Sequence, residues 1–87
     1  MPIHVTIEAA SKAEAQLIAD ELPIRADARS WRGFGVIRVG AKGKQETNEL
    51  MEAVSRCVHV HSLKWARVRY GDEERVFKAN GNGHRAA

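Results

Sequence analysis

The sequence predicts a small α+β domain with the element order β-α-β-β-α-β. Two observations lead to it: four short segments are extended in pattern, and two segments between them repeat apolar residues at helical spacing. The chain has 87 residues, of which 44% are hydrophobic. A chain of this length encloses one thin core and no deep pocket. We therefore expect one domain over residues 1–79 and a disordered tail over 80–87, where NGNGHRAA has no large apolar side chain to pack.

The first strand and the first helix follow each other directly. Residues 3–8, IHVTIE, alternate apolar and polar side chains, as a half-buried strand does. Ser11 and Glu14 then form a capping box, in which each side chain accepts a hydrogen bond from the backbone N–H of the other residue. Pro23 ends the helix. The buried face of this helix is predicted to comprise Ala13, Leu17, Ile18 and Leu22.

Residues 24–40 are extended in pattern and are interrupted near Trp31–Gly33, which predicts two antiparallel strands joined by a tight turn. The basic segment AKGKQ precedes a second helix, predicted from about Gln45 or Thr47 to about Cys57. The apolar face of this helix is predicted to comprise Leu50, Met51, Val54 and either Cys57 or Val58.

Residues 63–70 predict a fourth strand, and Gly71–Asp72 predicts a turn into a possible short fifth strand around Arg75–Lys78. Right-handed crossovers place both helices on one face of a four-stranded antiparallel sheet, which is the ferredoxin-like sandwich. That fold serves many unrelated functions and does not define one here. The predicted core on the helix side comprises Ile3, Val5, Ile7, Leu17, Ile18, Ile37, Val39, Val54, Ala66, Val68 and Tyr70.

The other side of the sheet, which the helices leave uncovered, is called the open face below. Alternation along the strands decides which residues lie on it. It is predicted to comprise His4, Thr6, Glu8, Arg25, Asp27, Arg29, Trp31, Phe34, Val36, Arg38, Trp65, Arg67 and Arg69. Both tryptophans of the chain are among them, together with five arginines.

The octapeptide RGFGVIRV at 32–39 lies on the third predicted strand. It resembles the RNP1 element of the RNA recognition motif family, which runs basic-Gly-aromatic-Gly/Ala-aromatic-aliphatic-any-aromatic. The first four residues of the octapeptide match, and Ile37 matches the sixth place, whereas Val36 and Val39 stand where the family has aromatic residues. The first strand would align with the companion RNP2 element, with His4 at its aromatic position.

The resemblance implies that Phe34 stacks on an RNA base and that Arg32 contacts phosphate. Single-stranded RNA, or another nucleic acid, is therefore one expected partner of the open face. The alternative is that Gly33 and Gly35 serve only a turn or a bulge and that Phe34 fills space beside Trp65. The candidate nucleic-acid-binding residues are His4, Arg25, Arg29, Trp31, Arg32, Phe34, Arg38, Trp65, Arg67 and Arg69.

A second interpretation of the open face is a homodimer or another protein–protein interface. Exposed apolar patches commonly mark interfaces, and tryptophan and arginine are both enriched at interface centres. The acids Glu8 and Asp27 would repel phosphate and could pair with Arg25, Arg29 or Arg67 across a twofold axis. Composition alone does not separate this interpretation from nucleic-acid binding.

Cys57, His59 and His61 alternate by two, so on an extended segment they would share a side and could bind a transition metal with His4. The alternative, which we favour, is a buried cysteine followed by histidines at the end of a helix. We expect no metal site, no cofactor and no enzymatic activity. GAKGK lacks the spacing of a P-loop, and a thiol on an apolar helix face lacks the environment of a nucleophile.

Lys and Arg outnumber Asp and Glu by 14 to 11, which is compatible with a polyanionic partner. No stretch reaches the roughly 20 apolar residues that span a bilayer, so no membrane association is expected. MPIHVTIEAA does not have the pattern of a secretory signal, and the single cysteine fits a reducing compartment. We expect a cytoplasmic protein.

Overall fold

The computed structural model describes residues 2–79 and contains two helices and one antiparallel sheet. The elements are β1 (Ile3–Ala9), α1 (Lys12–Glu21), β2 (Ala28–Trp31), β3 (Phe34–Ala41), α2 (Lys44–His61), β4 (Ala66–Tyr70) and β5 (Glu73–Phe77). The strand order is β2-β3-β1-β4-β5. The predicted α+β class is confirmed, and the order is compatible with a ferredoxin-like arrangement. The predicted tail at 80–87 lies outside the described residues.

The sheet has five strands rather than the predicted four. β5 pairs antiparallel with β4, and Tyr70 lies opposite Glu73. Only two residues connect these partners, and Gly71 has a φ of +56°, a conformation that glycine adopts without steric cost. Because the turn is so short, the chain reverses direction directly after β4. The fifth strand, which the sequence predicted only as a possibility, therefore pairs with β4 and forms an edge of the sheet.

The core lies on one side of the sheet, where both helices pack. Val5, Ile7, Ile37 and Val68 are almost completely buried and all belong to the predicted inward parity. The same side receives Ile18 from α1 and Val54 from α2. The strand parity derived from the sequence is therefore confirmed.

The predicted buried face of α1 is wrong in part. Ala13 and Leu17 are exposed, the latter by 39%. The residues of α1 and its cap that enter the core are Ala15, Ile18, Ala19 and Leu22. Their spacing still repeats every three or four positions, so the helix is amphipathic as expected but is rotated about its axis.

Gly35 on β3 explains why a small residue of α1 faces the sheet. A Cβ built at Gly35 would overlap Ser11 O and Ala15 Cβ and would lie 2.9 Å from Lys12 Cα. The first turn of α1 therefore rests directly on the β3 backbone, which only a side chain as small as that of Ala15 permits. Gly35 serves this close approach, and not the turn or bulge considered from the sequence.

The predicted capping box at the start of α1 forms only in one direction. Ser11 Oγ accepts a hydrogen bond from the Glu14 backbone N–H at 3.2 Å, as expected. The Glu14 carboxylate, however, accepts from the backbone N–H of Lys64 at 3.2 Å. It thereby links the start of α1 to the segment that follows α2.

α2 is longer than predicted, since it begins at Lys44 and continues past Cys57 to His61. The helix ends where Ser62 adopts a left-handed conformation with a φ of 52°. The Leu63 backbone N–H then donates to the Val58 carbonyl at 3.0 Å. Leu63 is buried, so an apolar contact accompanies this helix end. Within residues 2–79, neither helix has the length and apolar content that a membrane crossing requires.

Candidate nucleic-acid interface

The open face is an array of side chains in register across the strands. Because directly opposed residues of an antiparallel pair lie on the same side of a sheet, pairing defines its rows. One row comprises Arg29, Val36, Glu8, Arg67 and Val76. The next comprises Arg38, Thr6, Arg69 and Glu74. β5 thus extends the open face by two residues that the sequence did not assign to it.

Glu8 lies at the centre of the open face and holds two of its arginines. Its Oε1 accepts a hydrogen bond from Arg67 Nε at 2.8 Å, and its Oε2 accepts one from Arg69 Nη2 at 3.2 Å. The Glu8 side chain is 13% exposed. One largely buried carboxylate therefore compensates two cations, which leaves a single net positive charge at the centre. The sequence analysis allowed Glu8 to pair with Arg67 of a second copy across a twofold axis. In the structure the two residues pair within one chain.

A shallow groove of about 770 Å³ lies beside this centre. Its cationic lining side chains include Arg25, Arg29 and Arg38, and Trp31 also lines it. Among residues 2–79, these three arginines form no ion pair, in contrast to Arg67 and Arg69. Asp27 and Glu8 line the groove as well, so its charged side chains are predominantly but not exclusively positive.

Arg25 and Asp27 reach the groove from a position that differs from the predicted one. β2 begins only at Ala28, so both residues precede this strand rather than belong to it. Trp65 similarly lies immediately before β4, which begins at Ala66. In each case the chain is close enough to the sheet to bring the side chain to the open face, although the predicted strand was too long.

Three aromatic side chains gather at one end of the open face. Phe34 and Trp65 meet edge to face, with ring centroids 5.9 Å apart and an interplanar angle of 65°. Trp31 is 55% exposed and Phe34 is 42% exposed. The guanidinium of Arg32 lies 4.9 Å from the centre of the Trp31 ring, and that of Arg67 lies 5.7 Å from the Trp65 ring. These contacts hold the rings in place while leaving aromatic surface open to solvent.

The β2–β3 hairpin places Trp31 and Phe34 opposite each other. The two residues between them, Arg32 and Gly33, have φ values of 52° and 86°. Two consecutive positive φ values are typical of a type I′ turn, the tight hairpin turn whose twist suits an antiparallel pair. The predicted tight turn is thus confirmed. It also places Arg32, the first residue of the octapeptide, in the turn rather than in β3.

His4 does not join the aromatic end. It pairs with Gly40, whereas the aromatic end begins beyond the Glu8–Val36 pair. Along a strand, the six-residue offset between the levels of Gly40 and Phe34 corresponds to about 20 Å. His4 instead lines a smaller depression of about 240 Å³ together with Arg69. The fold therefore separates His4 from Phe34, the residue with which it would share the RNA-stacking role.

Cys57, His59 and His61 all lie on α2, so the extended arrangement that would align them is wrong. The helical alternative is confirmed: Cys57 is fully buried, and both histidines occupy the last turn. His59 Nδ1 lies 2.8 Å from the Ser55 carbonyl oxygen. Burial raises the pKa of the Cys57 thiol to about 11, and the nearby Glu21 carboxylate adds to this effect. A thiol of this kind is a poor nucleophile at neutral pH.

A different group of potential metal ligands is brought together by the fold. Cys57 and His61 lie near Glu21 of α1, and one ligand atom from each side chain is within 4.8 Å of the others. Sequence reasoning missed this group because Glu21 and Cys57 are 36 positions apart. Only the spacing of Cys57 and His61, one helical turn, was visible in the sequence.

The chain matches no protein-family profile, and no curated protein or solved structure is significantly similar to it. Its function is therefore inferred from the side chains of the open face, their exposure and their charges.

Proposed function

We propose that this protein is a non-enzymatic binding module whose open face binds single-stranded RNA. One observation carries the proposal: Arg25, Arg29 and Arg38 line a single groove without ion-pair partners among residues 2–79, and the exposed ring of Trp31 lines the same groove. Single-stranded nucleic acid offers the complementary chemistry, since a chain of phosphates alternates with flat bases.

The groove arginines supply the phosphate contacts in this proposal. An arginine without an intramolecular carboxylate keeps its donors free for a phosphate oxygen, and the planar guanidinium can bind it with two parallel hydrogen bonds. Arg29 and Arg38 project from neighbouring strands, and Arg25 lies three residues before the start of β2. The three cations thus border the groove on the side of the sheet formed by β2 and β3.

The aromatic end supplies the base contacts. The rings of Trp31 and Phe34 are partly exposed, which leaves surface for stacking. Contacts with Arg32 and Trp65, respectively, restrain them. Rings that are already positioned lose little conformational entropy on binding, so more of the stacking energy contributes to affinity. This role for Phe34 agrees with that implied by the RNP1 resemblance.

The left-handed Arg32 also supports a binding role. Asparagine and glycine are the residues that normally occupy this turn position, and an arginine there costs about 1 kcal/mol of backbone strain. The left-handed conformation places the Arg32 guanidinium over the Trp31 ring, next to the β2–β3 turn. Arg32 is therefore proposed as a phosphate contact next to a stacked base.

A homodimer formed through the open face is the second candidate. The specific observation that favours it is Val76 of β5, an apolar residue that is 52% exposed on the open face. Val76 lies at the opposite edge of the sheet from the β2–β3 hairpin. A twofold axis near Glu8 could thus place Val76 of one copy against the aromatic end of the other. In this case the groove arginines would face acids of the second copy.

Titration of a short fluorescently labelled RNA of mixed sequence, followed by anisotropy, tests the first proposal. Sedimentation of the protein alone is measured in parallel. Binding that weakens with added salt, by a chain that sediments as a monomer, is the expected result. If the protein is a stable dimer and binds no RNA at low salt, the RNA-binding proposal is wrong and the homodimer is the better account of the open face. We further propose a cytoplasmic location, with which the free thiol of Cys57 is compatible.

A further inference from the structure

A mixed group of side chains lies where the two helices meet, on the opposite side of the sheet from the open face. Glu21 is the last residue of α1, and Cys57 and His61 project from α2. Their potential ligand atoms, one carboxylate oxygen, one sulfur and one imidazole nitrogen, lie within 4.8 Å of one another. The group has no role in the RNA-binding proposal.

The fold creates this arrangement from two simple features. Residues four apart on a helix lie on the same face, so Cys57 and His61 point in similar directions. The end of α1 packs beside this face, as the 2.6 Å contact between Glu21 Oε2 and His61 Nε2 demonstrates. A second contact between the two regions, from Lys64 N–H to the Glu14 carboxylate, restrains the other end of α1.

We propose that Glu21, Cys57 and His61 form a binding site for a borderline divalent transition metal ion, with Zn²⁺ as its preferred occupant. Thiolate sulfur, imidazole nitrogen and carboxylate oxygen are the three ligand types that Zn²⁺ accepts, whereas Mg²⁺ and Ca²⁺ favour sites built from oxygen alone. Three protein ligands leave the fourth tetrahedral position to a water molecule.

The distances suit this assignment. Metal–ligand bonds of about 2.0–2.3 Å separate the ligand atoms of a tetrahedral site by roughly 3.3–3.8 Å. The present separations, from 2.6 Å to at most 4.8 Å, bracket this range. Glu21 and His61 are the partners that can adjust, since their side chains are 37% and 32% exposed. Small rotations of both would admit the ion between them and Cys57.

The burial of the group indicates how the ion reaches it. Cys57 is fully buried, so the ion approaches from the solvent side between Glu21 and His61. On binding, the metal–sulfur bond replaces the S–H bond and the thiol proton leaves to solvent. His61 Nε2, which donates its hydrogen to Glu21 in the absence of metal, also gives that proton up to solvent; the neutral ring keeps its remaining hydrogen on Nδ1, and the Nε2 lone pair and the Glu21 carboxylate each bind the ion. No oxidation or reduction is involved. A bound ion would connect the end of α1 to α2 and stabilise the helix layer.

Cobalt substitution tests the proposal on the full, reduced chain after treatment with a chelator. We expect one Co²⁺ per chain, with tetrahedral d–d bands and a near-ultraviolet thiolate-to-cobalt charge-transfer band, and displacement of Co²⁺ by Zn²⁺. Cys57→Ser should abolish the charge-transfer band. Glu21→Gln and His61→Gln alter partly exposed side chains, so both variants should fold, and each should weaken binding at least about tenfold.

His59→Gln is the matched control, because it removes a histidine of the same helical turn that lies outside the group. It should bind Co²⁺ as the wild type does. The proposal is overturned if Co²⁺ binds without a charge-transfer band, if no Co²⁺ binds, or if His59→Gln weakens binding as much as His61→Gln does. Glu21→Gln and His61→Gln change partly exposed side chains, so they still test the proposal if Cys57→Ser fails to fold.

Discussion

Glu8 of β1 and Arg67 of β4 are joined on the open face by a hydrogen-bonded ion pair of 2.8 Å. The carboxylate is largely hidden, whereas the arginine side chain remains 38% exposed. Arg69 contacts the second oxygen of the same carboxylate. This relationship divides the arginines of the face into a compensated pair on β4 and an uncompensated set around the groove. It therefore determines where an anionic ligand would find free positive charge.

Glu8→Gln should release Arg67 and Arg69 from their carboxylate. We expect tighter RNA binding with a steeper salt dependence, because more arginine donors become free for phosphate. The free energy of unfolding should fall by about 1–2 kcal/mol, since the lost ion pair is partly sheltered. Anisotropy titrations and urea denaturation measure the two effects. Glu52→Gln makes the same charge change at an exposed position of α2 and is the control. It should change neither the RNA affinity nor the free energy of unfolding. Weaker RNA binding by Glu8→Gln would contradict the proposed charge distribution.

The groove arginines can be tested by charge removal. Arg29→Ala and Arg38→Ala should each weaken RNA binding regardless of base sequence, because each removes a phosphate contact. The slope of log affinity against log salt should decrease by about 0.7 per lost contact with a single strand. Arg56→Ala removes the same charge from an exposed position on α2 and serves as the control. Equal losses in all three variants would mean that only net charge matters and that the groove has no special role.

The exposed rings of Trp31 and Phe34 can be tested by truncation. Trp31→Ala and Phe34→Ala should each cost roughly 1–3 kcal/mol of RNA affinity, the contribution of one stacked base. Leu17→Ala, which removes exposed apolar surface on the helix side, should leave RNA binding unchanged. Sedimentation of the same variants addresses the dimer. If Phe34→Ala converts a dimer to a monomer and the wild type binds no RNA, the aromatic end is an interface between copies.

Gly35→Ala should destabilise the fold, because the new methyl group would collide with the backbone of the first turn of α1. Overpacking against backbone atoms that cannot move away costs about 2–3 kcal/mol. Gly40→Ala on the same strand is the control, since its nearest neighbour would be Pro2 Cβ at 3.7 Å, an ordinary contact. Urea denaturation followed by circular dichroism compares the two. A Gly35→Ala protein as stable as Gly40→Ala would show that α1 does not rest on β3 as described.

Ser62→Gly should stabilise the protein. Ser62 closes α2 in the left-handed region, where a side chain is strained and glycine is not. Relief of this strain should raise the free energy of unfolding by up to about 1 kcal/mol, reduced by the greater flexibility of glycine in the unfolded chain. Thermal denaturation measures the change. Ser55→Gly, placed inside α2, should have the opposite effect, since glycine disfavours a helix interior by about 1 kcal/mol.

The sequence by itself determined the element order, the strand parity and the composition of most of the open face. These features depend on local spacing: a period of two along a strand and of three to four along a helix. Alternation along each strand was enough to assign four residues to the buried side, without information on which strands pair: Val5, Ile7, Ile37 and Val68. The tight turn at Arg32–Gly33 and the end of α1 shortly before Pro23 are equally local, since backbone conformational preferences specify them.

Tertiary structure alone decided the features that depend on two distant segments. The rotation of α1 follows from its contact with Gly35, and the periodicity of the helix could not reveal which of two adjoining faces would meet a glycine on β3. Pairing of Glu8 with Arg67 required the placement of β4 beside β1. The meeting of Glu21 with Cys57 and His61 required the packing of two helices. In each case the physical cause is a contact across space, and neither segment contains a local pattern that encodes its partner.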